Sequence, residues 1–239
     1  ASEDEYPQHQ VYLDAFWIDR TEITNAEYDK CVAAGVCSRP AARNKNFAAA
    51  LLPVVGVNWE QAATYCRWVG ARLPTEAEWE KAARGTDGRR YPWGNIFDGR
   101  RLNYCDKNCV ADWRDFSADD GFRYTAPVGN YPDGASPYGA LDMSGNVWEW
   151  TADWYAPDAY ARAAARNPVG PASGQQRVIR GGSWYYTGSS LRVTRRHKDT
   201  PTSSYDNIGF RCLTPATEIE PAGSDGGEAS RGSQVRNVK

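Results

Sequence analysis

Residues 177–212 read RVIRGGSWYYTGSSLRVTRRHKDTPTSSYDNIGFRC, and this stretch decides what kind of fold the chain adopts. Its flanks, 176–181 and 207–213, alternate β-branched and other apolar residues with polar ones and read as strands. The interior between Trp184 and Asn207 is different: Tyr185, Tyr186, Ser189, His197, Asp199, Tyr205 and Asp206 stand among further serines and threonines. Tyrosine with small polar residues is what adaptable binding surfaces use, because it combines rigid amphipathic area with flexible hydrogen bonding. With Arg195 these residues are the candidate ligand-binding set. The basic run Arg192, Arg195, Arg196, His197 and Lys198 suits a carboxylate, sulfate or phosphate, although arginines so placed more often pair with nearby acids. No Ser/His/Asp constellation can be assembled on spacing, and no cysteine lies between Trp184 and Arg211.

Working outward, residues 10–19 (QVYLDAFWID) read as a strand leading into a helix capped by Thr24, with Glu27 three positions on. A second helix is expected from Asn58, with Gln61 as its third residue, to about Gly70. The clearest helix follows RLPTEAEWEKAARG (72–85), where Thr75 and Glu78 form a capping box and Gly85 is expected as the left-handed residue at the end. Residues 89–136 are turns, aromatics and acids with weak periodicity and read as long packed loops.

Composition supports one domain of irregular architecture. A chain of 239 residues with 41% hydrophobic content buries a substantial core, and ten tryptophans, 14 tyrosines, 22 glycines and 14 prolines suit a loop-rich fold filled by aromatics. The domain is expected over 1–214, with 215–239, devoid of aromatics, as a disordered or tethering tail. The chain opens at Ala1 and has a single methionine, Met143, so a removed leader or a trimmed start is expected. A net charge of −2 supplies no basic surface for phosphates, so nucleic acid and anionic membrane are not expected partners. No apolar run approaches the roughly 18 residues that would cross a bilayer.

Six cysteines allow 15 pairings by arithmetic. Cys31 with Cys37 and Cys105 with Cys109 are close enough for local loops, which leaves Cys66 and Cys212 as a long-range pair. Four convergent ligands for zinc are lacking, since the only histidines are His9 and His197. Three disulfides imply an oxidising compartment: periplasm, cell surface or secretion.

RLPTEAEWEKAARG, YPWGN (91–95), YGALDMSGNVWEWTADWY (138–155) and the 177–212 stretch together resemble the formylglycine-generating enzyme, or sulfatase-modifying factor, family over residues 5–212. The resemblance implies an α+β, irregular, C-type-lectin-like fold with little regular secondary structure, and it supports the Cys66–Cys212 bridge. The family's copper-binding, substrate-oxidising cysteines lie three and eight residues after the serine of GGS. Those positions here are Tyr186 and Leu191, and neither a phenol nor an isobutyl group is a soft Cu(I) ligand, so copper is not expected.

Structural calcium is expected at one or two sites. Asp142 and Glu149 bracket a glycine turn and place hard oxygens near the carbonyls of Gly145 and Val147, a set the family also uses. The resemblance also implies the set formed by Asn103, the carbonyl of Tyr104, Asp120 and the carbonyl of Phe122. The functional expectation is a catalytically silent extracytoplasmic binding module, or a subunit of a larger protein assembly, with a small anionic or glycan ligand as a further possibility. The alternatives are an oxidoreductase acting on a sulfatase cysteine and a retroelement-diversified ligand-binding protein, whose variable region this segment also resembles.

Overall fold

The computed structural model describes residues 2–216 and 234–236. Within them regular structure is sparse, and the helices start where local capping chemistry dictates. Helix α1 (Asn25–Ala33), α2 (Trp59–Trp68) and α3 (Glu76–Arg84) each carry a complete capping box. In α3, Thr75 Oγ1 accepts from Glu78 N at 3.3 Å while Thr75 N donates to Glu78 Oε2 at 2.8 Å. Two of the amides that a helix start leaves unpaired are thereby satisfied without tertiary help. Gly85 has the positive φ expected of it, +70°, but its ψ of −144° takes it out of the left-handed helical basin. Its N–H still bonds the Lys81 carbonyl at 2.9 Å.

Strand β1 (Phe16–Asp19) is shorter than residues 10–19 suggest. Tyr12 and Asp14 bond to the chain around Ala165 and Asn167, so the first half of that segment makes no sheet ladder. The remaining strands are β2 (Trp148–Trp154), β3 (Arg177–Arg180), β4 (His197–Asp199), β5 (Ile208–Gly209), β6 (Leu213–Pro215) and β7 (Gln234–Arg236). They form two sheets, in the orders β6-β1-β7 and β4-β3-β2-β5. In the second, Glu149 pairs with Arg180 and Ile179 with His197, both antiparallel, while Trp148 pairs in parallel with Ile208. Of the stretch expected as a tail, 217–233 and 237–239 lie outside the described residues, whereas 234–236 form β7 alongside β1.

Aromatics fill the space between these short elements. One cluster surrounds the Cys66–Cys212 disulfide and includes Tyr28, Tyr65, Trp150 and Phe210; a second surrounds Trp79 with Phe16, Ile18 and Met143. The three disulfides are Cys31–Cys37, Cys66–Cys212 and Cys105–Cys109, as the spacing and the resemblance indicate. No helix among the described residues is long and apolar enough to cross a membrane.

Where the motifs meet, charge is buried. Arg211 is fully buried and all five of its N–H groups are used. Its Nε and Nη2 hold Glu149 at 2.7 Å each, Nη2 also reaches the Leu141 carbonyl at 2.9 Å, and Nη1 reaches those of Asp19 and Arg20 at 3.1 Å each. Trp79 Nε1 donates to the same Glu149 carboxylate at 2.8 Å. A parallel arrangement lets Glu76 hold both Arg180 and Arg196 at 2.7–2.9 Å.

Replacing Arg211 by methionine, which keeps bulk but removes the fork, leaves Glu149 charged and unpaired in the core. The expected loss is about 3–5 kcal/mol of unfolding free energy, read by chemical denaturation, and Arg211→Lys recovers only part of it because three donors cannot replace five.

Candidate functional site

The second sheet and the loops that follow β3 enclose an open cavity of about 450 Å³, within the range of small-ligand sites. Its floor is Trp148, Ile179 and Ile208, contributed by three adjacent strands and all buried. Its walls are aromatic. Tyr186 meets Trp148 edge-on with ring centroids 5.5 Å apart, Tyr185 meets Trp184 at 5.4 Å, and Tyr124 meets Trp184 at 5.2 Å. These are edge-to-face geometries, which aromatic pairs prefer and which hold the rings without further bonds.

The backbone that presents these rings is fixed independently of them. Tyr186 N bonds Ser183 O at 2.9 Å, and its own carbonyl accepts from Cys105 N at 3.0 Å, beside the Cys105–Cys109 bridge. Trp113 Nε1 donates to Tyr185 O at 3.1 Å and Trp184 Nε1 to Asp206 O at 3.3 Å, so the two ends of the polar segment are tied to the rings. On β4 the alternation of a strand puts His197 and Asp199 on the groove face. Lys198 is on the other side, its ammonium 4.0 Å from the Tyr155 ring.

Six of the eight expected ligand-binding residues line this cavity: Tyr185, Tyr186, His197, Asp199, Tyr205 and Asp206. Ser189 and Arg195 do not. Ser189 sits in the exposed 3-10 turn Gly188–Leu191, and Arg195 donates to Ser2 Oγ. Of the other arginines in the basic run, Arg192 pairs with Glu5 at 2.8 Å and Arg196 with Glu76. Burial raises the Glu5 carboxyl, but the Arg192 and Ser2 hydrogen bonds overcome it and bring the group down to about 2. Burial and Arg195 both push the His197 imidazole below its ordinary value, so it is neutral at neutral pH.

Tyr124, Trp184 and Val110 also line the groove without having been expected there. They come from loops with no periodicity or from residues read as framework, and only the tyrosine content of 104–131 hinted at them.

Leu191 lies outside the groove lining, fully buried against Tyr91, Leu102 and Tyr104. All six cysteines are in disulfides, so the chain presents no thiol.

The two expected calcium sets lie outside the groove lining and abut each other where Gly145 meets the Asn103 carbonyl. In the first, Asn103 is buried; its Nδ2 donates to Tyr124 O at 2.8 Å and Asn146 Oδ1 at 3.0 Å, while its Oδ1 has no partner. Asp120 accepts from Tyr104 N and Phe122 N, and burial, with Asp106 beside it, pushes its carboxyl up to about 7. In the second, Gly145 packs so closely on Asn103 that a Cβ there would lie 2.2 Å from the Asn103 carbonyl oxygen, and at φ +87° only glycine is at ease. Asp142 accepts from Gly129 N at 2.6 Å, and the carboxylate of Glu149 is committed to Arg211 and Trp79. A carboxylate the sequence did not single out, Glu22, is 1% exposed with neither oxygen bonded. Burial and the charges of Asp142 and Glu149 push it well above its ordinary value. Among the described residues no three His, Cys, Asp or Glu side chains converge as a metal centre, so a cation here must draw on amide and carbonyl oxygens as well.

An α+β, loop-rich scaffold with an aromatic groove beside its GGSW turn defines the class. A family model for the sulfatase-modifying factor enzyme 1-like domain matches residues 1–216, and the chain belongs to that family. It is similar to the formylglycine-generating enzyme of Streptomyces coelicolor, 44% identical over 182 residues that make up 69% of this chain and 53% of that protein. It is also similar to the inactive C-alpha-formylglycine-generating enzyme 2 of Mus musculus, 45% identical over 172 residues, 69% of this chain and 50% of that one. Among solved structures, Treponema denticola variable protein 1 superposes with a TM-score of 0.68 at 25% identity, covering 87% of each chain. The chain spans 34–53% of the length of several curated relatives.

Thiol titration of the purified chain in denaturant without reductant is expected to find no reactive cysteine, and six after reduction. A free thiol in the native protein would contradict the pairing.

Proposed function

We propose that this chain is a catalytically silent member of its family, working outside the cytoplasm as a calcium-stabilised binding module or subunit whose contact face is the Trp148–Tyr186–Tyr205 groove. The observation that carries this reading is the identity of the two positions where the family's resemblance places its reactive cysteines. Tyr186 forms an aromatic wall of the groove and Leu191 is core, so the space that a thiolate pair would need is filled by ordinary packing. Copper(I) retention requires soft ligands, and every cysteine is already oxidised into a bridge. The name of the mouse relative is a precedent for inactivity within the family. Three disulfides support an oxidising location such as the periplasm, the cell surface or the medium.

The residues present fit calcium at the first set. The orphaned Asn103 Oδ1 and the desolvated Asp120 carboxylate both gain a partner when a hard cation arrives, with the Tyr104 and Phe122 carbonyls completing the ligands. The second set fits through Asp142 and the Gly145 and Val147 carbonyls. Glu22 supplies the free carboxylate there, because Glu149 is neutralised by Arg211. Calcium in these places would stabilise loops that have no sheet or helix of their own.

Two outcomes test the proposal. Calcium at about a hundredfold its dissociation constant should add about 2.7 kcal/mol, a rise of several degrees in melting temperature that Asp120→Asn reduces; indifference to calcium and chelator contradicts the metal reading. Affinity capture from the native source in calcium should return a near-stoichiometric partner with the wild-type chain and lose it with Tyr186→Ala/Tyr205→Ala. Recovery of the chain alone, or a partner indifferent to those substitutions, overturns the groove as contact face.

A further inference from the structure

We propose that the groove recognises an alkylammonium group: a cation held by aromatic faces and two aspartates. This assignment rests on the groove being the binding face. Six of its thirteen lining residues are aromatic: Tyr124, Trp148, Trp184, Tyr185, Tyr186 and Tyr205. The charged residues of the lining are Asp199 and Asp206, and neither lysine nor arginine contributes to it.

The carboxylates have no basic partner. Among the described residues neither Asp199 nor Asp206 takes part in an ion pair, whereas Arg180, Arg192 and Arg196 outside the groove are each paired with a glutamate. Asp199 uses Oδ1 for Thr200 N and Ser203 Oγ, at 2.7 and 2.5 Å, which orients the carboxylate without neutralising it. The basic residues nearest in sequence are turned away by the architecture. Strand alternation sends Lys198 onto Tyr155, Arg195 reaches Ser2, and Arg192 and Arg196 are bound to Glu5 and Glu76. His197, desolvated against Trp148 with ring centroids 5.2 Å apart, is held neutral and adds no positive charge.

A concave site lined by six aromatic side chains and two carboxylates, with no lysine or arginine, disfavours the carboxylate, sulfate or phosphate that the basic run in the sequence suggested. It favours a cation that can shed water easily. Ammonium groups carrying methyl or methylene substituents meet that condition, since cation–π attraction is worth about 0.5–1 kcal/mol at exposed rings and about 2 or more when desolvated. A volume of about 450 Å³ leaves room for an alkyl body beyond the charged head. The same chemistry is offered by a small free alkylammonium compound and by the side chain of a methylated lysine; an unmodified lysine keeps its hydration more tightly.

The test is a titration of the intact, calcium-loaded chain with choline, with its uncharged isostere 3,3-dimethylbutan-1-ol, and with a short peptide carrying lysine or trimethyl-lysine. Tryptophan fluorescence and the ligand's methyl proton resonance are the readouts. Saturable binding of choline or of the trimethyl-lysine peptide is expected, with the methyl signal moved upfield by the ring currents, and weaker binding of the unmodified lysine peptide. The isostere should bind at least tenfold more weakly, and Asp199→Asn/Asp206→Asn should weaken the cation by at least tenfold, about 1.4 kcal/mol or more. Whichever cation binds more tightly identifies the source as free compound or protein side chain.

Equal binding of the isostere, insensitivity to the aspartate substitutions, or no binding of either cation overturns the assignment. A partner captured through the groove that also tolerates the double aspartate substitution would overturn this inference alone. Failure to recover any partner that depends on Tyr186 and Tyr205 would bring down the binding-face reading itself.

Discussion

The fold depends on one buried ion pair. Arg211 sits in the GFRC stretch, Glu149 in the NVWEW stretch, and Trp79 in the RLPTEAEWE helix, so three motifs widely separated in sequence converge on a single carboxylate. The carbonyls of Asp19, at the end of β1, of Arg20 just after it, and of Leu141 complete the shell around the guanidinium. In a domain with little sheet and short helices, this hub does the work that long ladders do elsewhere. A buried pair of this kind adds modest net stability over a well-packed apolar substitute, but breaking it strands a charge, so it specifies which segments must meet. Glu76 with Arg180 and Arg196 repeats the device beside it, Arg180 being the cross-strand partner of Glu149.

The groove inherits its geometry from that hub. Glu149 anchors β2, in which Trp148 is the residue just before it, and Arg211 anchors the chain just after β5, so floor residues on both strands are held from the core. The polar segment then closes the walls through aromatic edges and backbone bonds to Cys105 and Ser183. Rigid support under a wall of tyrosines suits the proposed binding role, because rings that keep their places leave their hydroxyls and the flanking aspartates oriented toward the cavity. Family membership alone settles fold, and function must be argued from this site.

Much of this was legible in the sequence, and the boundary of legibility is physical. The three capping boxes at Thr24, Asn58 and Thr75 were readable because their bonds span three residues. The disulfides followed from short spacing plus a family resemblance. Six groove residues were found because they are contiguous and compositionally distinct. What sequence spacing could not see was the partner across the fold. Arg192 and Arg196 looked like an anion site until Glu5 and Glu76, each more than a hundred residues away, claimed them. Glu149 looked like a cation ligand until Arg211 occupied it, and Glu22, isolated in its own motif, gave no sign of facing Asp142. Tyr124 and Val110 belong to the groove only because aperiodic loops fold back, a placement that no local pattern encodes.

The central claim is that the scaffold persists without the oxidative chemistry of its relatives. The most direct measurement is mass spectrometry of a sulfatase-type cysteine peptide after incubation with this chain, copper and oxygen, alongside an active formylglycine-generating enzyme. The account predicts an unchanged peptide thiol and no copper retained by the chain after dialysis. Conversion of the cysteine to formylglycine by this chain would contradict it.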